Sequence, residues 1–163
     1  THQTSTVETF SYANTQPRQA LVPSYRPSTR TAELTMTTRS WKCMCGSFEA
    51  SVTGEPLMAC WCHCTLCRQQ AGSAMQLGVW KEVDIKSGAD NLIEYEAKAG
   101  TGTLRKSCKT CGSFCIKVMG NGVSVAPLGC LEPVIKPTMH IFTEDKGGQD
   151  IMFPDLDCHD QMP

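Results

Sequence analysis

The chain has 163 residues, the length of about one average domain. Fifteen Lys and Arg residues against sixteen Asp and Glu residues give a formal net charge of −1, so the charge balance does not predict nucleic-acid binding. Hydrophobic residues make up 40% of the sequence, yet no apolar run approaches the roughly 18–20 residues of a membrane span. We therefore expect neither a nucleic-acid partner nor a membrane partner.

Residues 1–40 differ in composition from the rest of the chain. They contain fifteen Ser or Thr, three Pro and four Arg, but no Cys and no Lys. Without apolar periodicity, this composition predicts a disordered or loosely docked extension, with the folded domain over 41–163. An organelle transit peptide and an arm that packs on a partner subunit are the alternatives, the second of which suits a homodimer. We otherwise expect a cytoplasmic protein.

After residue 40, short period-2 segments are separated by Gly and Pro about every ten residues. This pattern is typical of an all-β domain. An Asn121-Gly122 pair predicts a hairpin between two of the segments, and only residues 65–71 favour a helical turn. The predicted strands are 48–52, 77–80, 83–85, 92–95, 114–118, 123–125 and 139–142. The sequence therefore predicts a mainly β fold.

Eleven cysteines in a chain of this length are the most unusual feature of the composition. An odd number cannot pair completely into disulfides within one chain, and no hydrophobic secretory signal is visible. The local spacings, Cys-x-Cys and Cys-x-x-Cys, are too short for convenient disulfides but suit thiolate coordination of a metal. We therefore interpret the clustered cysteines as metal ligands, and zinc is the metal that all-thiolate sites favour.

Two of the cysteine pairs lie on Gly-containing turns about sixty residues apart. Cys43-x-Cys45 precedes a glycine, and so does Cys108-x-x-Cys111. Together the pairs supply four sulfurs, which complete a tetrahedral zinc shell. A closed shell of this kind is structural, so these residues predict a scaffold site.

A third group is formed by Cys62, Cys64 and Cys67. Three ligands with one open position are the pattern of a catalytic zinc site. Cys60 or His63 could instead supply a fourth ligand and close the shell. Spacing alone leaves these alternatives open.

These strings resemble the glutathione-dependent formaldehyde-activating enzyme family, which also includes the centromere protein V domain. The resemblance covers about residues 40–155. It is carried by the following strings in order: Cys43-x-Cys45-Gly46, Cys62-His63-Cys64-x-x-Cys67-Arg68, Gly72-Ser73, Cys108-x-x-Cys111-Gly112-Ser113 and His140-Ile141.

The resemblance implies a small zinc-binding fold of stacked antiparallel sheets that holds two Zn²⁺ ions per chain. It implies a structural zinc on the four-cysteine set, and a second zinc on Cys62, Cys64 and Cys67 whose fourth position receives a substrate thiolate. The activity implied is condensation of glutathione with formaldehyde. The chain departs from the family pattern at Gly129-Cys130-Leu131-Glu132 and over residues 146–150, which makes the substrate uncertain rather than the fold.

Other residues are weaker candidates for the site. Arg68 could bind a glutathione carboxylate through a bidentate fork or form a surface ion pair. Gly72 and Ser73 could form a loop of backbone donors, and Cys130 could line the substrate pocket. His63 is interpreted as a packing residue beside the ligands. His140 is either a satisfied core histidine or a proton shuttle.

The leading hypothesis is a zinc-dependent carbon–sulfur lyase or synthase that makes or breaks a glutathione adduct. The carbon partner is formaldehyde or a larger metabolite. A non-catalytic zinc module that binds a protein or chromatin partner is the alternative, although chromatin binding favours a basic surface that this chain lacks. An open or thiol-bound fourth zinc position would distinguish the enzyme from the module.

Overall fold

The computed structural model describes residues 36–163, so the predicted extension lies almost entirely outside the described residues. Within them the chain forms eleven strands and one α-helix, α1 (Thr65–Ala71), which confirms the mainly β prediction. The strands are β1 Thr38–Lys42, β2 Glu49–Thr53, β3 Met58–Cys62, β4 Met75–Trp80, β5 Asp84–Ser87, β6 Leu92–Glu96, β7 Leu104–Cys108, β8 Phe114–Val118, β9 Ser124–Pro127, β10 Met139–Ile141 and β11 Asp157–His159.

The strands form two sheets. A three-stranded antiparallel sheet has the order β1-β2-β5, and an eight-stranded sheet has the order β11-β10-β3-β4-β9-β8-β7-β6. The larger sheet is not wholly antiparallel, because β10 pairs in parallel with both β3 and β11. This parallel pairing differs from the expected stack of antiparallel sheets. Because β10 lies far from β3 in the sequence, no tight hairpin joins the two strands and requires an antiparallel pair.

The main hydrophobic core contains residues from both sheets. Trp41 and Ala50 come from the small sheet, and Trp80 and Ala126 come from the large one. The Trp41 indole N–H also donates to the Cys115 carbonyl at 3.0 Å, which joins β1 to β8. Aromatic burial and this hydrogen bond together hold one sheet against the other.

A row of small residues leaves room for the Trp80 ring against the large sheet. Ala59, Gly78 and Ala126 are direct partners across β3, β4 and β9. A Cβ atom at Gly78 would lie 2.3 Å from the Trp80 ring and 2.6 Å from the Leu128 side chain. Glycine is therefore required here by close packing.

Residues that alternate with this row point to the opposite face of the large sheet. Cys60, Leu77 and Val125 belong to a second buried cluster, together with Cys62 and Cys67. The three-cysteine group therefore lies on the face that the small sheet does not cover.

The predicted helix and hairpin both form. Helix α1 has the predicted bounds, and it ends at Gly72, which adopts a left-handed conformation and donates its N–H to the Arg68 carbonyl at 2.7 Å. At the hairpin, the Met119 N–H donates to the Val123 carbonyl at 2.8 Å, with Asn121 in the turn. Short-range signals were sufficient for both elements.

Strands β1, β3, β7 and β11 were not predicted. Three of the five residues of β3 are Cys or Trp. Strand β7 has the sequence Leu-Arg-Lys-Ser-Cys, in which apolar and polar residues do not alternate. Strands β3 and β7 each pair with a neighbour on both sides, which makes them strands regardless of their own propensity. β1 begins at Thr38, slightly before the proposed boundary at residue 40, and that boundary stays a prediction. None of the helices in the described range has the length and apolar character needed to cross a membrane.

Candidate metal centres and active site

The first cysteine group joins the two sheets. Cys43 and Cys45 follow β1 of the small sheet, whereas Cys108 ends β7 of the large sheet and Cys111 lies in the turn to β8. Their four sulfur atoms lie within 4.8 Å of one another. The Sγ atoms of Cys43 and Cys45 are 3.5 Å apart, and those of Cys45 and Cys108 are 3.7 Å apart. Bonds of about 2.3 Å to a tetrahedral metal place sulfurs roughly 3.8 Å apart, so this group fits a closed four-thiolate site.

Short turns orient these thiols. Gly46 and Gly112 have φ values of 76° and 73°, which close the two turns. The Phe48 N–H points at the Cys43 sulfur at 3.3 Å. Hydrogen bonding with Ser113 lowers the pKa of Cys111 to about 5, so this thiol favours the thiolate form that binds a metal.

The second group gathers at the junction of β3 and α1. Cys62 ends β3, Cys64 caps the helix, and Cys67 lies in its first turn. Their sulfur atoms lie within 4.8 Å of one another. The Cys67 N–H donates to the Cys64 sulfur at 3.4 Å, so the start of the helix itself sets the spacing of two thiols.

Two cations face this group from neighbouring strands. The buried Arg105 of β7 donates from Nη2 to the Cys67 sulfur at 3.6 Å. Lys117 of β8 lies directly opposite Arg105 in the sheet register. Like charges in such a pair repel, and thiolates in the nearby cysteine group would offset that repulsion. Hydrogen bonds from Cys62 and Cys64, then from Arg105, lower the pKa of Cys67, and Lys117 lowers it further.

Neither alternative fourth ligand reaches this group. Cys60 is absent from the set of converging sulfurs, and burial raises the pKa of its thiol to about 12. His63 turns its ring away: Nδ1 lies 2.8 Å from Asp150 Oδ2, and Nε2 lies 2.9 Å from His140 Nδ1. Over residues 36–163, three cysteines therefore converge with no fourth Cys, His, Asp or Glu.

A buried hydrogen-bond chain holds His63 in this orientation. The Phe153 N–H, a fixed donor, points at His140 Nε2 at 3.0 Å. His140 must then carry its proton on Nδ1 and donate to His63 Nε2, which leaves His63 Nδ1 to donate to the Asp150 carboxylate. Both rings are fully buried, so the chain fixes both histidines as neutral tautomers and positions the residue between Cys62 and Cys64.

The pKa of His140 predicts a pH-dependent stability. Burial, and then the neighbouring His63, lower this pKa below its usual 6.5, so the unfolded chain binds a proton more readily than the folded chain. We expect the free energy of unfolding to fall as pH is lowered from 6.5, by up to about 1.4 kcal/mol per unit until the folded-state pKa is reached. Asp150 stays ionised throughout, because the hydrogen bond from His63 lowers its pKa.

Urea unfolding of the metal-loaded protein between pH 5 and 7 measures this dependence, with metal content checked at each pH. His140→Gln removes the titrating group and should flatten the slope over that range. An unchanged slope in this variant would reject the assignment to His140.

The weaker candidates Arg68, Gly72 and Ser73 lie in helix α1 or directly after it. Arg68 and Gly72 line a polar groove of about 460 Å³ with Asp150 and the glycines at 147 and 148. The Arg68 Nε donates to the His63 carbonyl at 3.2 Å, and the Gly72 N–H is occupied by the helix cap. The exposed Ser73 hydroxyl donates to the Ala74 carbonyl at 3.2 Å. The Gly72 N–H and the Ser73 hydroxyl therefore both have hydrogen-bond partners within the chain.

Neither Cys130 nor His140 belongs to the three-cysteine group. Cys130 is exposed in a 3₁₀ turn after β9, and it is not among the residues that line the cavity beside Cys62. The prediction that Cys130 lines the substrate pocket stays a prediction. His140 is a satisfied core histidine, since both of its nitrogens have partners, and its contact with His63 connects it to the cysteine loop.

Sequence reasoning missed Asp150, Arg105 and Lys117. Asp150 falls in the segment that departs from the family pattern, and the departure was the only signal available. Arg105 and Lys117 occur in strands without a motif. Sheet register places them beside the cysteines, and a single sequence does not show that register.

The fold and the cysteine groups define a mainly β protein with two sulfur clusters that could hold metal ions. The family model described as glutathione-dependent formaldehyde-activating enzyme matches residues 38–145, and the chain belongs to this family. No curated protein matches the chain. Among solved structures, a Rhodobacter sphaeroides protein from a structural genomics programme is similar, with 25% identity, a TM-score of 0.48, and coverage of 59% of this chain and 90% of that one.

Proposed function

We propose that the chain is a carbon–sulfur lyase or synthase that forms and cleaves an adduct between glutathione and an aldehyde. The observation that carries this proposal is the convergence of three cysteine sulfurs, Cys62, Cys64 and Cys67, with Cys60 and His63 both held away. Three thiolates with one free position suit a catalytic zinc ion. The family name supports glutathione and formaldehyde as reactants.

The chain would hold two Zn²⁺ ions, one in each cysteine group. The ion on Cys43, Cys45, Cys108 and Cys111 would be structural, because four sulfurs complete its shell. The ion on the other group would keep an incoming thiol deprotonated at neutral pH.

The chemistry requires no oxidant or reductant. A sulfur–carbon bond forms between glutathione and the aldehyde carbon, the C=O bond becomes C–OH, and the thiol proton ends on that oxygen. Cleavage is the reverse. The protein must hold a sulfur anion close to the carbonyl, and Arg105 and Lys117 supply the positive charge that stabilises anions there.

The polar groove beside α1 is a candidate site for the peptide part of glutathione. Arg68 supplies a guanidinium for a carboxylate, and the glycines of the facing loop leave room: a Cβ atom at Gly147 would lie 3.2 Å from Arg68 Nη1. All eleven cysteines are free, which agrees with a reducing compartment such as the cytoplasm, where glutathione is available.

Calorimetric titration of the zinc-loaded protein with glutathione tests the proposal, with S-methylglutathione as the control. We expect one glutathione bound per chain and no comparable binding of the methylated form, because only a free thiol can become a thiolate. Equal binding of both ligands, or no binding of either, would reject a thiol-accepting site and favour a non-catalytic zinc module.

A further inference from the structure

A mainly apolar cavity, partly open to solvent, adjoins the three-cysteine group on the face of the large sheet that the small sheet does not cover. The floor of the cavity is a row of residues that pair directly across β3, β4, β9 and β8. In that order the residues are Met58, Val79, Val125 and Lys117. Directly paired residues share a face, so these four side chains point the same way as Cys62, which also lines the cavity.

The cavity is small and almost entirely apolar. Its volume is about 180 Å³, and its walls include Leu77, Met119 and Ile141 beside the row above. A cavity of roughly 150 Å³ with apolar walls accepts a molecule the size of benzene. The space therefore suits an apolar group of five or six carbon atoms.

One residue of the cavity wall, Phe142, has a strained backbone conformation. Phe142, which follows β10, has a φ of 56°, a left-handed value that residues with a side chain rarely adopt. This conformation turns the chain sharply where the wall is formed.

Among residues 36–163, Lys117 is the one charged side chain in the wall. Across residues 36–163 it has no carboxylate partner, and its charge acts on the sulfurs of both Cys60 and Cys67. An ammonium group between an apolar cavity and a thiolate cluster is placed to meet a carbonyl oxygen.

Glutathione cannot be the occupant. It is a polar tripeptide with two carboxylates and an amine, and burying such groups without partners is strongly unfavourable. Formaldehyde has no apolar group to fill the space. The occupant must therefore belong to the carbon partner.

Resting on the proposed function, we propose that the physiological carbon partner is an aldehyde with an apolar group of about five or six carbons, held in this cavity with its carbonyl oxygen against Lys117. The glutathione thiolate adds to the carbonyl carbon, the C=O electron pair moves to the oxygen beside the ammonium, and the proton released by the thiol completes the hydroxyl group. The product is a thiohemiacetal, and no other reactant is consumed.

Adduct formation from glutathione and the homologous aldehydes propanal, butanal, pentanal and hexanal tests the cavity, because their carbonyl groups have similar reactivity. We expect kcat/KM of the zinc-loaded protein to rise by about fourfold per added methylene, or roughly sixtyfold across the series. Val79→Phe should fill the cavity and flatten the series, with the largest loss of kcat/KM for hexanal and the smallest for propanal. Met119→Phe fills it from the hairpin side if the first variant does not fold.

The matched control is Val134→Phe, which places the same side chain at a residue that is 67% exposed and should preserve the rise. Calorimetry with 1-hexanol gives a readout independent of activity: it should bind the wild type and not Val79→Phe. Adduct formation with a flat aldehyde series would reject the cavity as the carbon-partner site. Binding of 1-hexanol without any adduct formation would reject the proposed reaction instead.

Lys117→Met tests the placement of the carbonyl oxygen. The substitution keeps an apolar stem of similar length but removes the charge. We expect kcat/KM to fall by roughly a hundredfold for every aldehyde, formaldehyde included, with 1-hexanol binding retained. Wild-type rates in a variant with full zinc content would overturn the role of Lys117.

Discussion

Replacing Cys108 with alanine should unfold the domain at room temperature. The residue is 1% exposed, and its sulfur belongs to the four-cysteine group that joins β1 of the small sheet to the β7–β8 hairpin of the large sheet. Structural zinc contributes about 10–16 kcal/mol of binding free energy in small zinc-dependent folds, whereas a whole domain has roughly 5–15 kcal/mol of net stability. Loss of the proposed structural zinc would therefore remove as much free energy as the fold has available.

Cys115→Ala is the matched control for this prediction. Cys115 is equally buried and lies in β8, beside the same turn, but it is outside the four-cysteine group. Deleting its thiol should cost about 1–2 kcal/mol of packing and leave zinc bound. Zinc content and circular dichroism melting measure both variants. If Cys108→Ala melted like Cys115→Ala and kept the same zinc content, the structural role of this site would be refuted.

Replacing Cys64 with serine should abolish glutathione binding and adduct formation without unfolding the protein. Cys64 is both a member of the three-cysteine group and the cap of α1, where its side chain accepts the Cys67 N–H. A serine hydroxyl is a preferred helix cap, so the helix start is preserved. It does not replace a thiolate as a zinc ligand, so one of the two proposed zinc ions should be lost.

Cys60→Ala provides the control, since Cys60 lies on the same strand as Cys62 but outside the converging sulfurs. This variant should keep both zinc ions and bind glutathione. Zinc quantification, calorimetry and a melting curve distinguish the cases. Adduct formation at the wild-type rate by Cys64→Ser would eliminate the three-cysteine group as the active site.

Local features of this protein were predictable because each depends on neighbours in the chain. Helix α1 forms where the sequence predicted it, and the Asn121-Gly122 turn forms a hairpin. The family resemblance is confirmed by a family model over residues 38–145. Short spacings predicted that Cys43 shares a turn with Cys45 and Cys108 with Cys111, and the structure brings each pair into one sulfur group.

The fourth position of the three-cysteine group was not predictable. Cys60 and His63 are as close to the group in sequence as its own members. His63 is removed from it by Asp150, which lies 87 residues further along the chain. A contact over that distance depends on how the last segment packs, and spacing contains no information about it.

The sequence by itself determined the β class, the family and which neighbouring cysteines share a turn, because alternation and short spacings act within one strand or turn. Only the tertiary structure decided the parallel placement of β10, the orientation of His63, and the apolar cavity with Lys117 in its wall. Each of these arises where strands distant in sequence become neighbours in a sheet. Register then selects which side chains share a face, and that selection depends on burial of the whole sheet rather than on any local pattern.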